Sequence, residues 1–473
     1  MTIRTKIVAT IGPASRDIQT LGRLLQAGCD VFRLNFSHGT YQEHQQSLEN
    51  ICAAEAATGM PAAVLADLCG PKIRAGKIDG GSVLLADGAT LTIQREPVLG
   101  NVQRISTTLP EMVDQVTVGE TILMDDGKLR LEVISTNAPT SFACRVIRGG
   151  MLSSGKGINL PHTLLKLSAL TEKDRADVAW IVTRDIDYVA LSFVRSAEDI
   201  HELRRLLESH GKSLPIVAKI EKPQALACIE QIIDAADVIM VARGDLGVEM
   251  DLPAVPVAQK RIVRLCQAAG KPCIVATQML ESMITSATPT RAEVSDVANA
   301  VLDHADAVML SGETAVGKFP VEAVTMMNDT IAAIEAWHDD MGDCVSVSYP
   351  MAPTVAAIAG AVREIVRQEK IAAVAVFTVT GDTARIFSKS RLPVPILAMS
   401  PDLRVVHRMC LYYGVAAVRQ ANPPEHTREV LQIAQRAAVE NKIAMPGDKI
   451  VVISGRPIGQ PGKTNTIVVH TVE

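Results

Sequence analysis

The sequence predicts an α/β protein: a closed (β/α)8 barrel with an inserted β domain and a C-terminal open α/β sheet. Three observations carry this prediction. Eight short Val/Ile/Ala-rich runs alternate with longer amphipathic ones. Between the third and fourth runs lies a stretch of different texture, with alternating residues and tight turns. A second alternating series occupies the last quarter of the chain.

The eight runs are "TKIVATIG" (5–12), "DVFRLNFS" (30–37), "AAVLADL" (62–68), "DYVALSF" (187–193), "PIVAKIE" (215–221), "DVIMVAR" (237–243), "PCIVAT" (272–277) and "DAVMLS" (306–311). Continuous apolar runs of this length suit parallel strands covered on both faces. Amphipathic stretches such as "RDIQTLGRLLQAG" and "TRAEVSDVANAVLDH" supply the intervening helices. Eight βα units close a barrel of about 250 residues, which assigns residues 1–69 and 168–340 to it. An open doubly wound sheet is the structural alternative.

Residues 70–167 break the series. "SVLLADGATLTIQ", "ETILMDDGKLRLEVIST" and "SFACRVIRGG" read as antiparallel hairpins, with Asp126-Gly127 at one turn. A small β-barrel is expected here. It leaves from the C-terminal face of the larger barrel, where active sites of this architecture lie, so it can act as a lid. Residues 341–473 are expected to form the third domain. "WHDDMGDCVSVSYPMAP" (337–353) reads as a linker and 353–368 as a helix. "IAAVAVFTV" (371–379), "VPILAMS", "GVAAVR", "DKIVVISG" and "TNTIVVHTV" read as the strands.

Composition narrows the function. Hydrophobic residues make up 48% and charged residues 21%, enough for a large core and too apolar for disorder. Aromatics at 3% do not furnish stacking platforms for single strands, and a net charge of −5 gives no attraction to nucleic acid or an anionic membrane. The nine cysteines contain no CxxC pair, so reduced thiols are expected rather than disulfides or zinc. No signal-like or membrane-spanning run is found, and a cytoplasmic protein is expected.

In such a barrel, polar residues at strand C-termini are the functional suspects. Arg33 and Asn35 end the second run, Asp67 the third, and Lys219 and Glu221 the fifth. Gly244 and Asp245 follow the sixth, Thr277 ends the seventh and Ser311 the eighth. Each alone has an ordinary structural explanation, such as an ion pair for Lys219–Glu221 or a turn cap for Asp245. Six strands ending this way make a shared site the better account. Glu221 and Asp245 offer oxygen ligands and leave most of a coordination shell open, which suits Mg²⁺, with Mn²⁺ as a substitute. Lys219 and Arg33 add positive charge for a phosphate or enolate. Free N–H groups near Gly244 and Asp245 can hold a carboxylate. A small, multiply anionic substrate fits the set.

"RLNFSHG", "IVAKIEK", "MVARGDLGVE", "ATQMLESM" and "PTRAEVSDVANAVLDHADAVMLSGET" resemble pyruvate kinases, and the resemblance spans essentially the whole chain. It implies phosphoryl transfer from phosphoenolpyruvate to ADP, giving pyruvate and ATP, as the last step of glycolysis. It implies Glu221 and Asp245 as Mg²⁺ ligands, Lys219 as the neutraliser of the transferring phosphoryl group, and Arg33 as the phosphate holder. Gly244, Asp245 and Thr277 would receive the substrate carboxylate, with Thr277 and Ser311 on the proton path to the enolate. Asn35, Phe36, Ser37, His38, Arg74 and Lys156 would meet the nucleotide, which brings a second Mg²⁺.

Many members of the family need K⁺, with ligands that map onto Asn35, Ser37, Asp67 and the next residue, commonly Thr. Here that residue is Leu68, and the "GPKIR" motif carries Lys72 where those members have Glu. A fixed ammonium can replace the monovalent ion, so K⁺ independence is expected; the plainer alternative turns Lys72 into solvent.

"FTVTGDTAR" (377–385) places Thr378, Thr380, Gly381 and Thr383 in a loop before a helix. Spacing alone favours an ordinary cap by Thr380 or Asp382. In related enzymes the corresponding loop binds a sugar-phosphate activator, and "SGRPIGQPGKTN" (454–465) would close over it. Asp382 argues against a doubly phosphorylated effector. The resemblance also implies a homotetramer. Two rivals are a metal-dependent lyase or aldolase acting on pyruvate-like enolates, and a catalytically silent sugar-phosphate sensor.

Overall fold

The computed structural model describes residues 3–161, 163, 168–341, 353–422, 424, 426–456 and 463–473. Eight parallel strands close a barrel: β1 (Lys6–Thr10), β2 (Val31–Asn35), β3 (Ala63–Asp67), β4 (Tyr188–Leu191), β5 (Ile216–Ile220), β6 (Val238–Ala242), β7 (Cys273–Ala276) and β8 (Ala307–Leu310). Each pairs with its sequence neighbours, and β8 returns to pair with β1.

Alternation along these strands places the site. Val8, Val31, Leu65, Val217, Met240, Ile274 and Met309 pack together inside the barrel. Their neighbours Ile7, Phe32, Ala66, Ala218, Val241, Val275 and Leu310 pack outward with the helices. Because side chains alternate between faces, continuing the inward series to the strand ends gives Thr10, Arg33, Asp67, Ser192, Lys219 and Glu221. One face of the barrel is therefore capped by an inward polar layer that follows from period-2 geometry alone.

The insert leaves after β3 and has its own core, which includes Ile93, Ile105, Ile122, Leu131, Phe142 and Val146. Where the sequence predicts a small β-barrel, the hydrogen bonds divide the strands between a six-stranded and a two-stranded sheet. One crossing between them is Gly149-Gly150, with Gly150 at φ +148°, where a Cβ on Gly149 would collide with the Leu85 carbonyl. The expected turn at Asp126-Gly127 joins Thr121–Met124 to Leu129–Asn137, with Asp125, Asp126 and Gly127 all at positive φ.

The third domain is a five-stranded sheet of β9 (Ile371–Phe377), β10 (Ile396–Ser400), β11 (Val415–Arg419), β12 (Lys449–Gly455) and β13 (Thr464–Thr471). Its order is β11-β10-β9-β12-β13, with only β13 antiparallel. The helix Pro320–Met341 runs through the first residues expected as linker; 342–352 lie outside the described residues, as do 457–462 of the late loop. The domain docks beside the starts of the barrel strands. Lys389 and Arg391 grip the buried Asp306 at 2.6 and 3.1 Å, and the Tyr188 hydroxyl donates to the Arg408 carbonyl at 2.7 Å. Among the described residues no helix is long and apolar enough to cross a membrane.

Candidate active site

The inward layer is a continuous chain of charge. Arg33 donates from Nε to Asp67 Oδ2 at 2.7 Å, and its Nη2 lies 2.6 Å from the same oxygen. Nη1 of Arg33 donates to the Thr10 hydroxyl at 3.0 Å, so each terminal nitrogen keeps a second N–H. Lys219 Nζ lies 3.1 Å from Asp67 Oδ1, 2.9 Å from Glu221 Oε1 and donates to Ser192 Oγ at 2.7 Å. The other Glu221 oxygen accepts the Phe193 N–H at 2.8 Å. Lys219 and Glu221 sit together because residues i and i+2 of β5 share its inner face.

Burial and neighbours set the protonation. Burial alone pushes the Lys219 ammonium down, but the Asp67 and Glu221 carboxylates outweigh it and hold it above the ordinary lysine value. Burial raises Asp67 too, yet Lys219 and Arg33 hold it below the usual carboxylate range. Glu221 is raised, first by burial, with Lys219 opposing and the like charge of Asp245 adding to the rise. Asp245 comes from the segment after β6, the strand that pairs with β5.

Asp245 belongs to the short helix Arg243–Glu249 that follows β6. Lys72, from the start of the insert, reaches to 3.7 Å from Asp245 Oδ1 with its side chain one-third exposed. The alternative of a lysine free in solvent does not describe it. Burial first, then Arg74, Arg33 and Lys72, lowers the His38 imidazole, so these cations share one positive field. A cavity of about 100 Å³ opens between insert and barrel, lined in part by Lys72, Asn159, Phe193, Arg195 and Lys222.

Thr277 follows β7 at φ +69°, and Gln278 at +55° continues the left-handed turn. A β-branched residue there is an outlier held against about 1–3 kcal/mol of strain. The conformation lets Thr277 Oγ1 accept the Gly244 N–H at 2.7 Å while donating to the Ala276 carbonyl at 2.6 Å. Ser311 precedes a one-turn helix, and its N–H donates to the buried Glu313 at 2.7 Å.

Among the nucleotide candidates, Asn35, Ser37 and His38 stand at the end of β2, where Asn35 Oδ1 accepts the Ser37 N–H at 3.1 Å. Phe36 is 2% exposed and stacks on His44 with ring centroids 4.3 Å apart. Its carbonyl accepts from Lys173 at 2.7 Å, so the residue serves the barrel wall. The two ends of the insert meet: Arg74 bridges Gly157 and donates to the Gly155 carbonyl at 3.0 Å, and Lys156 lies 2.7 Å from Asp125.

Leu68 is buried at 1% exposure, and both Asp67 oxygens are engaged by Arg33 and Lys219. In the third domain neither Thr380 nor Asp382 occupies the N-cap position of the helix Asp382–Lys389, although the Thr380 hydroxyl accepts the Asp382 N–H at 3.4 Å. Gly381, at φ +89°, is its N-cap, because only a residue without Cβ enters that turn freely. Thr378 Oγ1 accepts the Gly381 N–H at 3.0 Å, Thr380 bonds Asp382 at 2.8 Å, and Thr383 meets Thr464 at 2.9 Å.

Thr10, Ser192 and Arg243 were not singled out from sequence, although the first two obey the same rule of polar residues at inward strand ends. Among the described residues no group of three or more His, Cys, Asp or Glu could hold a metal ion. Glu221 and Asp245 are carboxylates following two neighbouring strands, a donor type that Mg²⁺ takes together with water and substrate oxygens.

The family model described as pyruvate kinase, barrel domain matches residues 2–324, and that described as pyruvate kinase, alpha/beta domain matches 356–470. The chain is 42% identical over 472 residues to a pyruvate kinase of Geobacillus stearothermophilus, covering 99% of this chain and 80% of that one. It is 40% identical to one of Mycobacterium intracellulare, covering 100% and 99%. A solved pyruvate kinase from Cryptosporidium parvum superposes with a TM-score of 0.91 at 34% identity, covering 100% of this chain and 97% of the other. A closed barrel, a separate sheet domain and a C-terminal α/β domain thus come together in one phosphotransferase, and the chain belongs to the pyruvate kinase family.

Proposed function

We propose that this chain transfers the phosphoryl group of phosphoenolpyruvate to ADP and protonates the resulting enolate to pyruvate, the last step of glycolysis. The observation that carries the reading is the unbroken Arg33–Asp67–Lys219–Glu221 chain at the barrel mouth, with Asp245 following the neighbouring strand. Phosphoryl transfer depends on positioning and charge stabilisation more than on covalent chemistry, and this layer supplies both.

Glu221 and Asp245 fit Mg²⁺, or Mn²⁺ in its place, because both are oxygen donors whose mutual repulsion a cation relieves. When bound, the ion draws negative charge from the phosphoryl and enolate oxygens. Arg33 grips the phosphate with the N–H groups that Asp67 and Thr10 leave free. Lys219, held charged by its carboxylates, neutralises the phosphoryl group in flight and then the enolate oxygen. The substrate carboxylate is received by Thr277 and the backbone at Gly244 and Asp245, displacing the Gly244–Thr277 hydrogen bond. Thr277 and Ser311 border the path by which a proton reaches the methylene carbon. Asn35, Ser37, His38, Arg74 and Lys156 meet the ADP phosphates. Phe36 contributes through the wall it packs.

Lys72 beside Asp245 and the engaged carboxylate of Asp67 support independence from K⁺, with no use of Asn35, Ser37 and Asp67 as its ligands. The hydroxyls of Thr378, Thr380 and Thr383 and the Gly381 turn form the candidate site for a sugar-phosphate activator. A cytoplasmic homotetramer with the three domain spans 1–69 plus 168–340, 70–167 and 341–473 completes the reading.

A coupled assay tests it. Pyruvate should form from phosphoenolpyruvate only with ADP and Mg²⁺ present, and Glu221→Gln should lower kcat by at least about 10²-fold. Pyruvate release without ADP, or an unaffected Glu221→Gln enzyme, would overturn it.

A further inference from the structure

We propose that Arg243 is a positioning residue for the reaction: anchored on Asp296, its guanidinium fixes Thr277 in the left-handed conformation that aims the hydroxyl at Gly244. The proposal rests on the reading of Thr277 as a substrate contact. Two successive non-glycine residues, Thr277 and Gln278, have positive φ, and Thr277 is β-branched. Such a turn persists only where its surroundings over-determine it.

Arg243 supplies that determination. Its Nη2 donates to the Thr277 carbonyl at 2.8 Å and its Nε to the Ala276 carbonyl at 3.4 Å. These two carbonyls belong to the peptide planes on either side of the Thr277 Cα. Holding both planes fixes both dihedrals of the one residue between them. The guanidinium is itself fixed: Nη1 donates to Asp296 Oδ1 at 2.7 Å, Nη2 lies 2.7 Å from Asp296 Oδ2, and Nη1 reaches Gln259 at 3.4 Å.

Asp296 stands on the helix Arg291–Leu302, which follows β7, and Gln259 on the helix Ala254–Ala269, which precedes it. One planar fork thus ties the ends of β6 and β7 to two helices. A lysine has three donors on one nitrogen but no planar fork to set the angle between two carbonyls and a carboxylate. Arg243 precedes Gly244, so the residue that sets the Thr277 turn also starts the segment receiving its hydroxyl. The bidentate Asp296 pair neutralises Arg243, which leaves it a holder of geometry rather than a source of charge for substrate.

The test uses the full-length enzyme with Arg243→Met, Arg243→Lys, Thr277→Ala and the double variant Arg243→Met/Thr277→Ala. A misplacement of about 1 Å at a reacting centre lowers rate about 10²-fold. Arg243→Met and Arg243→Lys should therefore lower kcat/KM for phosphoenolpyruvate about 10²-fold and leave the KM for ADP unchanged. The double variant should be no slower than the slower single one, because both changes remove one hydroxyl from its place. Should Arg243→Met fail to fold, Asp296→Asn loosens the anchor and gives the same readout against Thr277→Ala. Losses that multiply in the double variant, or an Arg243→Met enzyme of normal kcat/KM beside an impaired Thr277→Ala, overturn this proposal alone. A Thr277→Ala enzyme of normal kcat/KM overturns the substrate contact and this proposal together.

Discussion

Lys219 has three oxygen neighbours within hydrogen-bonding reach, from Asp67, Glu221 and Ser192, and is 9% exposed. Replacing it tests what the charge does. Lys219→Met should lower kcat by about 10³-fold, measured as pyruvate formation at saturating substrates. Mn²⁺ binding, followed by loss of the free-ion EPR signal, should persist because Glu221 and Asp245 remain. Glu221 loses its buried cation and Asp67 keeps only Arg33, so Tm should also fall, by the equivalent of about 3–5 kcal/mol. An unchanged kcat in a folded variant would remove Lys219 from the chemistry. The residues of this layer were legible because the period of a strand is two, so an ammonium and a carboxylate at 219 and 221 must share a face. Thr10 and Ser192 were overlooked although they obey that rule, since hydroxyls at strand ends are common and carry no charge to mark them. Arg243 could not have been read at all: its partners at 276, 277 and 296 come together only in the closed barrel.

Among the elements, the eight barrel strands were legible because apolar content without alternation marks a sheet covered on both faces. The insert was legible as antiparallel β but not as two sheets. One of its crossings between sheets is the Gly149-Gly150 junction, which a residue pattern does not distinguish from an ordinary hairpin. The N-cap position of the Asp382–Lys389 helix went to Gly381, with the Thr380 hydroxyl accepting the Asp382 N–H from one residue earlier. The segment entering the insert carries the next test. Lys72 sits 3.7 Å from Asp245 on a stretch whose other end returns beside Arg74. A unit charge at about 4 Å is worth about 4 kcal/mol near a protein surface. Turnover in tetramethylammonium buffer should therefore be the same with and without KCl. Lys72→Glu should lose more than about tenfold without K⁺ and recover when KCl is added. A wild-type enzyme that needs KCl contradicts the role given to Lys72.

At the scale of the molecule, the reaction face and the docking face of the barrel lie at opposite strand ends, and the docking face holds the groups that titrate near neutrality. His407 of the third domain lies 3.5 Å from Glu55 and 3.8 Å from Asp187, both barrel carboxylates. Burial is the largest cause at each of the three. It raises Glu55 and Asp187 to about 7, against backbone N–H donors from Ala62 and Val64, and lowers His407, against Asp185. Arg408 also faces Asp187 and opposes its rise. A carboxyl raised on folding binds its proton more tightly in the native state than in the unfolded one. Its contribution is complete below the unfolded values of 4.5 for Glu55 and 3.8 for Asp187, and is lost as pH rises to about 7. His407 acts oppositely, gaining stability as pH rises to its unfolded value of 6.5. Glu55→Gln and Asp187→Asn keep an oxygen for the Ala62 and Val64 N–H donors but cannot ionise. Relative to wild type, each variant should gain of order 2 kcal/mol between pH 5 and 7 and nothing further by pH 8. Thermal melts at those pH values read the difference directly. A gap between variant and wild type that stays constant from pH 5 to 8 would mean that neither carboxyl shifts its proton affinity on folding. Because His407 titrates in the opposite sense, adding His407→Gln to either variant should steepen the remaining loss of stability as pH rises from 5 to 7.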